Sequence, residues 1–347
     1  VTGGARRSAF GAEFDVPAGY LNTPSIGIPP VAVADAVAAA VDRWRAGADD
    51  PGDFTAYVDA SRASFARIVG VSADRIAVGG TVAGLLAPVA AGLPGGARVV
   101  TARSDFTSVT FPFAAQAHRG VTVTEVPVAD LPGAVEGHDL VAVSVVQSAD
   151  GAMVDLDALR TAAAEAGAAV VLDVTQAAGW LPLAVDWADW VVGAGYKWLL
   201  TPRGAAWLAV HPRALDRGHP VAANWYAGED PWDTVYGLPL RLAAGARRYD
   251  ASPAWLAFVG AAAALDHLAS LDVRAVHAHC TGLADELRGR LGLSPAGSAI
   301  VSLETSVPRE RLAAAGVRGS IRAGRLRLGW HLYNTDEDVD LVVEALR

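Results

Sequence analysis

The sequence predicts an α/β protein: a large domain with a mainly parallel sheet, seven-stranded in type and flanked by helices, followed by a smaller α+β region. Three observations carry that reading. Short, apolar strand candidates alternate with helical patterns from Arg75 to Asp173, the arrangement of strand–helix–strand units covered on both faces. A glycine-rich loop, Gly79-Gly80-Thr81-Val82-Ala83-Gly84, joins one strand candidate to the helix after it. Beyond about residue 240 the alternation gives way to two long alanine-rich helical stretches.

Taken in order, a polar arm over residues 1–20 leads into the extended run Tyr20-Leu21-Asn22-Thr23-Pro24, closed by Gly27 and Pro29-Pro30. Helical periodicity covers 31–44 and 57–69. A strand at 75–78, a helix at 82–91, a strand at 97–101 and a helix at 110–118 follow, then strands at 121–126 and 140–144. The helix at 156–166 precedes the strand at 169–173, which ends on Asp173. Helices at 253–271 and 273–291, strand patterns at 299–303 and 324–332, and a closing helix at 336–346 complete the chain. The expected division is an arm (1–20), a large domain (21–245) and a small C-terminal domain (246–347).

Composition bounds the function. At 347 residues the chain exceeds one ordinary core. Hydrophobic residues at 52% against 19% charged describe a buried globular protein. A formal charge of −9, without a run of Lys or Arg, argues against a nucleic-acid partner. One cysteine, Cys280, excludes an intramolecular disulfide framework and a multi-thiolate metal cluster, and no metal is expected. The first residues lack the apolar core of a signal peptide, and no charge-free stretch reaches membrane-spanning length. A soluble cytoplasmic protein without a membrane partner is the expectation.

The chemistry centres on two residues. Asp173 ends an apolar strand, Gln176 follows on the next turn, and Lys197 lies 24 positions after the aspartate in a mostly apolar stretch. A lysine amine that holds an aldehyde, with an acid that keeps a pyridine nitrogen protonated, is the pair pyridoxal phosphate requires. A snorkelling surface lysine and a helix-capping aspartate are the alternative. The glycine-rich loop offers free amides at a helix start to a phosphate, or makes a tight packing turn. It does not match the dinucleotide fingerprint, and no strand-end acid follows at the distance that holds a ribose. Phe106 follows a strand, where it could stack on a flat ligand or pack in the core. Arg325 and Arg327 alternate on one strand; one of them suits a carboxylate fork and the other suits solvent.

Together Asp173-Val174-Thr175-Gln176, Gly195-Tyr196-Lys197-Trp198 with Pro202-Arg203-Gly204, and Arg327 through Tyr333-Asn334-Thr335 resemble the class V aminotransferase family of fold type I pyridoxal-phosphate enzymes. That family includes cysteine desulfurases, kynureninase and isopenicillin N epimerase. The resemblance runs from about Tyr20 to the C-terminus. It implies that Lys197 forms the Schiff base and moves protons, and that Asp173 pairs with the ring nitrogen. It further implies Gln176 at the ring oxygen, Phe106 stacked on the ring, Ser148 beside the cofactor, and Thr81, Val82 and Tyr196 at the phosphate. Arg327, with Asn22, would take the substrate. Ser252 lies near where relatives reach across a homodimer to the partner's phosphate.

The activity so implied is Cα deprotonation of a small α-amino acid, expected to end in β-elimination of C–S type. Transamination, epimerisation or racemisation, and kynureninase-like hydrolysis are the alternatives, and a non-catalytic binding protein is the alternative class. The stretch from Gly316 to Gly324 lacks the cysteine that desulfurases use, and Cys280 reads as structural. Ser148 and Val145 stand where relatives often carry asparagine and histidine. His331 has a catalytic and a structural reading and Trp198 a cavity-lining and a packing reading, of which structural packing is the expected one for each.

Overall fold

The computed structural model describes residues 6–347; the first five residues of the expected arm lie outside the described residues. The described part of that arm is a hairpin, β1 (Arg6–Ala9) and β2 (Ala12–Asp15). Phe14 and Val16 go into the main core, and Arg7 pairs with buried Asp338 near the far end of the chain at 2.7 Å. The described part of the arm is thereby tied down at Arg7 and again at Phe14 and Val16.

Helices α1 (Val31–Arg45) and α2 (Thr55–Val69) come next. Gly70 ends α2 in the left-handed conformation that its lack of a Cβ permits. The alternating region then follows: β3 (Ile76–Gly79), α3 (Val82–Ala91), β4 (Arg98–Ala102), α4 (Thr107–Ala114), β5 (Thr122–Val126), β6 (Leu140–Ser144), α5 (Leu156–Ala166) and β7 (Ala169–Asp173). Two further strands, β8 (Trp190–Ala194) and β9 (Ala206–Val210), are absent from the sequence reading. Both are buried at every position, so neither shows the alternation of a half-exposed strand.

The seven strands lie in the order β3-β9-β8-β7-β6-β4-β5. Neighbours from β8 to β5 are parallel, while β9 runs antiparallel to both β8 and β3. Register sets the site. Ser144 is opposite Asp173, and Gly79 and Ala194 are both opposite Ala206. The loops leaving β3, β4, β6, β7 and β8 therefore converge on one edge, the carboxyl ends of the strands.

Helix α6 (Trp255–Ser270) packs on α1 and α2, and its Phe258, Ala261 and Leu265 belong to the core of the large sheet. After it, α7 (Val273–Arg290), β10 (Ile300–Leu303), α8 (Arg309–Ala314), β11 (Ser320–Arg322), β12 (Arg325–Gly329) and α9 (Asp336–Leu346) form a second unit around Leu287, Leu328, Trp330 and Val339. Its antiparallel sheet has the order β10-β12-β11. No single helix among the described residues is long and apolar enough to cross a membrane.

One buried ion pair braces β3 near its end. Asp250 accepts from Arg62 of α2 (2.9 and 3.2 Å) and from the Val78 amide (2.7 Å). Removing the carboxylate strands a buried guanidinium and an amide. Asp250→Ala is therefore expected to lower folding stability by roughly 3–5 kcal/mol, measured by urea denaturation; a loss below about 1 kcal/mol would class the pair with surface bridges.

Candidate active site

A cavity of about 140 Å³ opens at the edge where the strand-end loops meet. One wall is the turn from β3 into α3. Thr81 caps that helix, its hydroxyl accepting from the Gly84 amide at 3.1 Å, and Gly80, Thr81 and Val82 face the cavity. Helix-start amides with positive dipole character make this wall an anion seat. Arg203 lines the same cavity, its guanidinium carbon 5.3 Å from the centre of the Tyr196 ring. Its turn adjoins the loop: the Gly204 carbonyl oxygen would lie 3.7 Å from a Cβ placed on Gly80.

Lys197 and Asp173 share the cavity, and both are buried. Burial depresses the lysine to about 8; Asp173 raises it, while the charges of Arg327, Arg322 and Arg203 push it lower still. Burial also lifts Asp173 to about 6, against the Thr175 hydroxyl and amide, the latter donating to Oδ1 at 2.7 Å. Thr175 is itself fixed by β8, since its Oγ1 accepts from the Ala194 amide at 3.0 Å. Desolvation acts on each charged form, and the mutual attraction only partly offsets it.

The aromatic wall depends on a residue the sequence reading passed over. Asp105 is buried and accepts from the Phe106 amide (2.6 Å), the Ser144 hydroxyl (2.6 Å) and the Ser144 amide (2.7 Å). It ties the loop after β4 to the end of β6 and so places Phe106, whose ring centre is 4.9 Å from Lys197 Nζ. Ser104 before it and Leu200 after Lys197 both have left-handed backbones (φ 61° and 57°). Such strain costs on the order of 1–3 kcal/mol per residue and gathers at functional sites.

Residues 22–28 lie across the Lys197 loop. The Gly27 amide donates to the Tyr196 carbonyl at 3.0 Å, and a Cβ on Gly27 would sit 2.0 Å from the Lys197 carbonyl oxygen. Only glycine fits there. Gln176 Nε2 donates to Pro24 O and Ser148 Oγ, both at 3.0 Å, and its Oε1 accepts from Trp198 at 2.7 Å. Arg327, 1% exposed, donates to Ser148 Oγ (2.9 Å), the Ser148 carbonyl, Ser25 Oγ (2.7 Å) and Ser320 Oγ (3.2 Å). A chain of contacts thus joins Arg327 through Ser148 and Gln176 to the cavity.

Of the residues singled out from sequence, Thr81, Val82, Phe106, Ser148, Asp173, Gln176, Tyr196 and Lys197 line one cavity, and Arg327 abuts it. Asn22 lines a neighbouring cavity with Tyr20 and Ile26, its buried Oδ1 unpartnered. Ser252 is exposed and lines neither. Cys280 is fully buried in the core, its thiol pushed upward by burial. His331 is buried against Trp198, Nε2 meeting the Trp198 carbonyl at 2.9 Å, and burial pushes it down to about 3. A histidine held neutral behind the Lys197 loop is a packing element. Asp105, Thr175 and Arg203 went unassigned in the sequence. One compositional signal was there to use: Lys197 is the only lysine in the chain.

The donor set suits pyridoxal phosphate: a depressed amine, a buried acid, an aromatic wall, and amides plus a guanidinium for a dianion. Residues 36–311 match the family model described as aminotransferase class-V. The chain belongs to that family. Class-V enzymes are pyridoxal-phosphate enzymes of fold type I, and this enzyme has their mixed seven-stranded sheet. It is 29% identical to the uncharacterized aminotransferase YcbU of Bacillus subtilis, over 82% of each chain. Its identity to the kynureninase of Deinococcus radiodurans is 30%, over 79% of this chain and 72% of the relative. In fold it is similar to the cystine C-S lyase C-DES (TM-score 0.81, 18% identity, 95% and 97% coverage).

The single lysine makes its ionisation directly measurable. In the cofactor-free protein, 15N-lysine labelling gives one Nζ signal, expected to titrate near 8 where an ordinary lysine titrates at about 10.4. Asp173→Asn removes the carboxylate that raises the lysine, so the midpoint should move lower; a midpoint unchanged or higher would contradict the coupling.

Proposed function

We propose that this class-V enzyme acts on a small α-amino acid, moves a proton at Cα through Lys197, and eliminates a β-substituent, as a lyase of C–S type. The observation that carries the reading is the burial of the sole lysine in one cavity with Asp173, lined also by the helix start at Thr81 and Val82 and by Arg203. Pyridoxal phosphate, when bound, supplies an aldehyde for amines and a ring that accepts the electron pair left at Cα. Thr81, the Val82 amide and Arg203 would hold its phosphate, Phe106 would cover its ring, and Asp173 would hold a proton at its ring nitrogen.

Lys197 is suited to two tasks. Its depressed pKa leaves more of the amine neutral at physiological pH than in an exposed lysine, so Nζ can hold an aldehyde or accept the Cα proton. Asp173 is itself raised to about 6, so it parts with a shared proton less readily than an exposed carboxyl. Arg327 would orient the substrate carboxylate. No thiol lines the cavity among the described residues, which supports simple elimination over transfer of sulfur to the protein.

The same reading makes the protein a homodimer. Trp232, Tyr236, Leu238 and Leu240, all exposed within residues 232–240, would supply an apolar face for a second copy. A second reading, transamination, is favoured by the identity to the Bacillus aminotransferase over most of both chains.

A panel of amino acids bearing β-leaving groups tests the proposal. Multiple turnovers to pyruvate and ammonia without a second substrate are expected, and Lys197→Ala should slow them by about a thousandfold. A keto acid formed only when an amino acceptor is added would establish transamination instead.

A further inference from the structure

Two guanidiniums meet at Ser25, one of them bonded to cavity-lining Ser148, with no carboxylate between them. Arg327 Nη2 donates to Ser25 Oγ at 2.7 Å, and Arg322 Nη2 reaches the same oxygen at 3.4 Å, so the two nitrogens are at most about 6 Å apart. Neither is ion-paired among the described residues, whereas Arg325, on the same hairpin, pairs with Glu304. The other partner of Arg322 is the Ile321 carbonyl at 2.8 Å. Like charges this close repel, and with one of them buried they repel strongly. Arg322 accordingly helps push Arg327 down to about 10, after the larger effect of burial.

The two positions are not equivalent. Arg327 is buried on β12, and its Nε and Nη1 are taken by Ser320 and Ser148, leaving the edge toward Ser25. Arg322 is exposed at the end of the edge strand β11. Arg327, bonded to cavity-lining Ser148, is the inner cation of the two, and exposed Arg322 is the outer one. Arg203 lines the cavity together with Thr81, and its turn adjoins Gly80, so Arg322 is a cation beyond those a phosphate and one carboxylate require.

We propose that the substrate carries a second carboxylate at the far end of its side chain, and that Arg322 takes it while Arg327 holds the carboxylate on Cα. Arg322 is then a specificity determinant, selecting acidic amino acids over neutral ones of similar size. The proposal rests on the reading of this cavity as an amino-acid site, but its test does not depend on chemistry at Lys197.

The test is calorimetric titration of the holoenzyme with carboxylates that lack an amine. Butyrate is compared with succinate, glutarate and adipate, in the wild type, Arg322→Gln and Arg327→Gln. At least one diacid is expected to bind about tenfold more tightly than butyrate. Arg322→Gln should remove that preference and leave butyrate affinity within about twofold, while Arg327→Gln should weaken every ligand. Equal affinities for mono- and diacids in the wild type, a preference that survives Arg322→Gln, or an equal loss of all ligands in that variant would overturn the proposal. Failure of the cofactor to form a reducible imine would count against the amino-acid chemistry and not against this anion pair.

Discussion

The site depends on the removal of water from Lys197 and Asp173. Either charge alone would be expensive to bury. Together they remain costly, and each is moved toward its neutral form, the lysine to about 8 and the aspartate to about 6. An exposed amine would stay protonated and inert as a nucleophile. Burial supplies the neutral fraction, and the carboxylate limits how far the amine falls. For the folded protein without cofactor the sign is adverse. The depressed lysine weakens stability below its unfolded value and returns it as pH rises through about 8 toward 10.5. The raised aspartate is destabilising above its unfolded value, with its cost growing from about 4 to 6. The pair is therefore least favourable between about 6 and 8, where both are charged.

That desolvation is built by a few close approaches. The Cα of Gly27 passes over the Lys197 carbonyl, in space that a Cβ would share with it. The same segment bonds to Arg318 and Gly329 of the C-terminal unit through Leu21, so one strip of backbone closes the lysine loop and registers the second unit against it. Arg327 reaches the cavity from that unit by way of Ser25 and Ser148. The placement of Arg327 and the burial of the lysine thus share a single connection.

Much of this was legible in the sequence, for identifiable reasons. The helices at 82–91, 156–166 and 336–346 begin after Thr81, Asp155 and Thr335, whose oxygens cap them, and their predicted limits coincide with the observed ones. Strand β9 was missed because its reversal and its pairing between β8 and β3 are properties of the sheet, not of a local pattern. Asp105 was invisible for a similar reason: its partners at Ser144 come from another strand. Ser252 is exposed and outside its own cavity, as a residue that serves a partner's site would be. The strongest unused signal was compositional. One lysine stands against twenty-seven arginines, so the chain uses arginine for every side-chain cation except the one at the centre of the cavity.

The central claim is that this one amine carries the cofactor, and borohydride reduction of the holoenzyme followed by peptide mass mapping tests it most directly. The account predicts one added cofactor mass, located on the peptide containing Lys197, and none on the Lys197→Ala variant treated in the same way. Cofactor mass recovered on any other peptide, or retained by that variant, would contradict it.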